Sequence, residues 1–107
     1  LVYGVNYQKT ILSVDLSSPS ITQNFRSGII RPTVNGDIPN GSEGFSTLQV
    51  SSALISGTDV IMCTTDTTGL FVDASGVTNG QFFLSFTNKT GAAISDNSTF
   101  QVNWAAI

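Results

Sequence analysis

A chain of 107 residues is long enough for one domain with a single hydrophobic core, without the disulfides or metals that smaller chains need. Charged residues are 10% of it, the net charge is −3, there is no His, and the four cations, Lys9, Arg26, Arg31 and Lys89, are scattered. This excludes nucleic acid as the expected partner, because phosphate backbones are held by clustered Lys and Arg. No membrane span is expected either, since no run approaches the ~18 to 20 apolar residues that one requires, and no segment has the order of a signal peptide.

Polarity comes instead from hydroxyls and amides, as in Thr64-Thr65-Asp66-Thr67-Thr68. Such residues suit strands and turns better than helices. Sparse charge also points to a surface consigned to neighbours rather than to water, because charge is what keeps small domains apart.

Residues 1–40 hold all three prolines, Pro19, Pro32 and Pro39, and proline is kept out of central strands because it has no N–H for the ladder. The opening Leu-Val-Tyr-Gly-Val-Asn-Tyr-Gln-Lys-Thr has no clean period, and residues 11–16 alternate only in part. We read an extended N-terminal arm with edge segments over 1–40, preceding a sandwich domain over 41–107. Such an arm either adds an edge strand to its own sheet or pairs with a neighbouring subunit, with Tyr3, Tyr7, Ile11 and Leu12 as its contact residues. Residues 21–30 form a further strand broken near Ser27-Gly28. The stretch from Asn35 to Ser42, with Asn-Gly pairs on either side of Pro39, reads as a long irregular connection.

From Phe45 the rhythm is regular. Strands are expected at 45–50, 60–64, 70–73, 80–87 and 99–107, separated by clusters of Gly, Asn, Asp, Ser and Thr, the pattern of an all-β, antiparallel sandwich or jelly roll. In the run at 80–87, Phe82, Leu84 and Phe86 share one face; in the last run Phe100, Val102 and Trp104 do. These six form the expected centre of the core, and the Trp104 indole N–H needs a partner there. Phe45 and Phe71 also fall in strands, where core is the default reading.

No constellation points to catalysis. Asp59, Asp66, Asp73 and Asp96 are separated by turns and form no calcium loop, so no metal or other cofactor is expected. A hydrolytic triad lacks its His, and there is no Gly-x-Ser-x-Gly elbow or phosphate loop. Cys63, the one cysteine, reads as a small apolar residue in a buried strand. The Asn-x-Ser/Thr sequons at Asn40, Asn88 and Asn97 are open to glycosylation.

Residues 45–107 resemble a known module. The runs Ser46-Thr47-Leu48-Gln49-Val50, residues 55–62, residues 79–88 with Gly80-Gln81-Phe82-Phe83-Leu84, and the closing Phe100-Gln101-Val102-Asn103-Trp104-Ala105-Ala106-Ile107 are similar to the small β-module that ends many bacteriophage and large-virus structural proteins. The resemblance implies a non-enzymatic virion surface part such as a fibre tip, spike head or capsid decoration. It also implies a homo-oligomer, usually a trimer, in contact with other virion proteins such as the major capsid protein and with a host-surface glycan. The arm lies outside the resemblance. The closing strand is also similar to that of some H-type lectins, which implies carbohydrate binding. A subunit of an extracellular filament held by donor-strand exchange fits the same arm and the same composition.

Overall fold

The structure, a computed structural model, describes the backbone of residues 7–107 and the side chains of residues 11–107. The described residues form eight strands and no helix: β1 (Tyr7–Asp15), β2 (Ser20–Thr22), β3 (Ser27–Thr33), β4 (Phe45–Ser51), β5 (Ile61–Thr65), β6 (Leu70–Thr78), β7 (Gln81–Asn88) and β8 (Val102–Ala106). They make two four-stranded sheets, β1-β3-β8-β5 and β2-β4-β7-β6, packed face to face as a sandwich. The sheets are mixed. The four ladders that β7 and β8 make are antiparallel, as expected, whereas β1 runs parallel to β3 and β2 parallel to β4. The cause is the route of the chain. Between β1 and β3 it crosses to the other sheet to form β2, and a crossover brings the strand back in its original direction.

The core is built as the alternation requires. β7 and β8 are interior strands of opposite sheets, so their apolar faces meet across the sandwich. Phe82, Leu84, Phe86 and Val102 are fully buried, and Phe100 and Trp104 nearly so. Phe82 meets Trp104 edge-on at 4.9 Å between ring centroids, and Phe86 meets Phe100 at 5.2 Å. Burying one such aliphatic or Phe side chain contributes ~1.5 to 3 kcal/mol. Phe45 joins them through a bulge. Ser46, at φ 52°, is the extra residue in the β4–β7 ladder, and it turns Phe45 inward to lie 5.9 Å from Phe86.

The indole N–H of Trp104 donates to Oε1 of Gln23 at 2.8 Å, and the Gln23 amide in turn donates to the Ile29 carbonyl. Gln23 is 1% exposed, so the side chain that satisfies the tryptophan is itself core. Gly28 makes room for the pair. A Cβ there would overlap Gln23 Oε1 and lie 2.5 Å from Trp104 Nε1. At the other end of the sandwich Asn88, also fully buried, clasps two loops: its amide donates to the carbonyls of Ile38, Pro39 and Ala92, and its oxygen accepts from the Thr90 N–H and hydroxyl.

Among residues 7–40 the described strands join both sheets. β1 and β2 are edge strands, but β3 lies between β1 and β8, with Ile30 fully buried and Val34 just beyond it 1% exposed. Pro32 sits inside β3 without breaking it. The β3–β8 ladder spans Ser27 to Ile30 and has ended before Pro32. The Pro32 carbonyl accepts from Phe100 N–H, so its missing N–H faces that same side, and the β1 ladder loses nothing. β6 also runs further than its sequence suggests, through Thr78. Pairing with Phe83 and Leu84 carries Ala74 and Ser75 into the ladder despite their weak strand preference.

Candidate assembly surface

Among the described residues four strands have a free side: β1 and β5 in the first sheet, β2 and β6 in the second. Of the arm residues, Tyr7, Ile11 and Leu12 fall on the β1 edge. Tyr3 lies outside the described residues, and Tyr7 is the first residue of β1. Ile11 is on the outer face, 41% exposed; Leu12 is half-buried; Val14 and Leu16 point into the core. Described residues of the segment therefore pair with the chain's own β3.

The opposite side, formed by β5 and β6, holds the features that the sequence does not announce. Val60, Met62, Phe71 and Ile107 are 57 to 70% exposed. Exposed Val60 and Met62 and half-buried Cys63 correct the expectation of a buried strand at 60–64, and Phe71 corrects the expectation of core. Hydrophobic runs read the same way in an edge strand and in a buried one, and Val60, Met62 and Thr64 carry no polar pattern that marks them as outward.

The backbone of β5 is ordered by its ladder with β8. Val60 and Ile107 exchange both N–H···O bonds, at 3.1 and 2.9 Å, and Asp66 N–H reaches the Gln101 carbonyl. Even-numbered residues therefore turn their backbone groups towards β8, and Ile61, Cys63 and Thr65 turn theirs towards the open edge. The side chains of these odd-numbered residues point inward and close the seam to β6. The Thr65 hydroxyl donates to the Leu70 carbonyl at 2.6 Å, and the Cys63 thiol lies 3.7 Å from the Val72 carbonyl. An open groove of about 310 Å³ runs along this seam, lined by Cys63, Thr65, Leu70, Phe71 and the turn between the strands. Burial pushes the Cys63 thiol up from its ordinary value, and the carboxylate of Asp73 adds to the effect. Such a thiol is a weak nucleophile.

Below the β5 edge Arg26 clamps the 52–60 loop. Its guanidinium donates to both Asp59 carboxylate oxygens, at 3.1 and 3.3 Å, and to the Leu54 carbonyl. The Arg26 hydrogen bonds, with one from Ser56 N–H, hold the Asp59 carboxyl below the usual carboxylate range. Among the described residues no three potential metal ligands come together. Of the three sequons, Asn40 and Asn97 are exposed, while Asn88 is buried with its amide nitrogen fully engaged.

Fold and surface together define, among the described residues, an all-β sandwich of two mixed four-stranded sheets whose edge strand β5 is uncharged and flanked by apolar side chains. Comparison with protein-family models, with curated proteins and with solved structures finds no match to this chain.

Proposed function

We propose that this chain is a non-enzymatic structural domain of a virion surface, a capsid decoration or fibre protein of a tailed bacteriophage. It works by associating with copies of itself and with other virion proteins, such as the major capsid protein, through strand edges and its N-terminal segment. The observation that carries this reading is the meeting of free backbone groups on β5 with exposed Val60 and Met62 on a chain that is otherwise poor in charge. Unpaired strand edges are templates for association. The similarity of residues 45–107 to terminal virion modules supplies the setting.

Immunogold electron microscopy with an antibody raised against the purified chain tests the setting. Label on particle surfaces is expected. Label confined to cell-borne filaments would replace the virion reading with the donor-strand filament. A second reading, a carbohydrate-binding module, rests on the outer face of the β2-β4-β7-β6 sheet. There half-buried Phe83 stands between Gln49 and Ser75 on the neighbouring strands, with Gln49 hydrogen-bonded to Gln81. Selective binding on a glycan array that is lost in Phe83→Ala would favour it.

A further inference from the structure

Three of the four edge strands carry features that oppose pairing with another chain. β1 contains Lys9 and a register break between Tyr7 and Ile11, and β2 is three residues long. β6 has Asp73, a register break between Ser75 and Thr78, and Gly76 at φ 60°; its Leu70 and Val72 carbonyls are already engaged by Thr65 and Cys63. β5, Ile-Met-Cys-Thr-Thr, has no charge, no proline, no glycine and no break in its ladder.

We propose that β5 pairs antiparallel with the β5 of a second copy of this chain, about a two-fold axis through Cys63, so that the β1-β3-β8-β5 sheet continues across both molecules. This rests on the self-assembly reading above and names the contact that performs it. The residues whose backbone groups face outward, Ile61, Cys63 and Thr65, are symmetric about Cys63. An antiparallel two-fold pair therefore sets Cys63 opposite Cys63 and Ile61 opposite Thr65 of the second copy, and all their outward N–H and C=O groups find partners. On the outer face Met62 comes opposite Thr64. No like charges meet across either pair.

Charge argues for a second copy of this chain as the occupant. With a net charge of −3, self-contact is opposed wherever unpaired acids face each other, and β5 itself carries none. Asp66 is three positions from the axis, so the two copies of it stand roughly 20 Å apart at ~3.4 Å per residue, beyond the ~8 to 10 Å screening length. In this register Asp59 of one copy comes beside Asp66 of the other, and the Asp59 charge is already paired with Arg26.

Sedimentation velocity of the full chain over a concentration series tests the contact with two variants on exposed, outward side chains. The unmodified chain is expected to reach twice its 11.3 kDa mass. Met62→Lys/Thr64→Lys sets like charges opposite each other in both halves of the contact, and the dimer should be lost at the same concentrations, with the melting temperature of the dilute monomer unchanged. Met62→Lys/Thr64→Glu sets opposite charges there and should regain the dimer in a salt-sensitive form. If both variants associate as the unmodified chain does, the β5 contact is wrong while self-assembly stands. If the unmodified chain stays at 11.3 kDa throughout, both fall.

Discussion

Gly28→Ala adds a single methyl group at the most crowded point of the core. The new Cβ would overlap Gln23 Oε1 and approach Trp104 Nε1 to 2.5 Å and Gln23 Cδ to 2.8 Å. None of these atoms can retreat freely, because Gln23 is 1% exposed and Trp104 3%. Forcing a methyl into a packed site costs ~1 to 3 kcal/mol. If Gln23 swings away, the indole N–H is left buried without an acceptor, for a further ~1 to 3 kcal/mol. With both contributions the loss should be roughly 2 to 6 kcal/mol, a large share of the ~5 to 15 kcal/mol typical of a domain. Urea unfolding followed by fluorescence reads it directly, because Trp104 is the one tryptophan and reports on this contact. Gln23→Leu, which removes the acceptor without adding bulk at Gly28, should cost less. A Gly28→Ala loss below ~0.5 kcal/mol would refute the argument and show that the Gln23–Trp104 pair has room to move.

Asn88→Ala empties a buried site and strands three carbonyls that the amide now satisfies. Calorimetry should show a loss of ~2 to 4 kcal/mol, and a neutral result would mean that water replaces the amide. In a glycosylating host, peptide mapping should find glycan at Asn40 or Asn97 and none at Asn88; a glycan on Asn88 would contradict its burial in the folded chain. Acid stability follows from Asp59 and Asp15, both held below their ordinary value, Asp59 by Arg26 and Asp15 by the N–H of Ser17. A depressed carboxyl stabilises the fold above its unfolded pKa of about 3.8 and loses that contribution as pH falls through the folded value. With no His in the chain, denaturant stability should be nearly level from pH 8 to 5 and fall below about pH 4. Asp59→Asn should flatten part of that acid limb, and an unchanged limb would show that the Arg26 contact is not what lowers the carboxyl.

The core was legible because its signal is local. Phe82, Leu84 and Phe86, and Phe100, Val102 and Trp104, alternate strictly, and a half-buried strand leaves that mark in the order of its residues. That the two runs lie in opposite sheets was not legible, because sheet membership depends on contacts between residues far apart in sequence. The partner of Trp104 was foreseen as a need, but its identity, Gln23, lies 81 positions away. Pro32 pointed away from a central strand, and the structure admits it because its ladder ends two residues earlier. Met62, Val60 and Phe71 were misplaced for a related reason: an apolar residue on an open edge has the same letters as one in the core. The direction of the β5 backbone groups, on which the assembly surface depends, leaves no trace in composition.

Amide exchange along β5, measured by NMR at low and high protein concentration, tests the assembly contact most directly. In dilute solution the N–H groups of Met62 and Thr64, committed to β8, should exchange slowly, and those of Ile61, Cys63 and Thr65 quickly. Raising the concentration should protect these three and leave the other two as they were. Equal rates for Ile61, Cys63 and Thr65 at every concentration would contradict pairing at this edge.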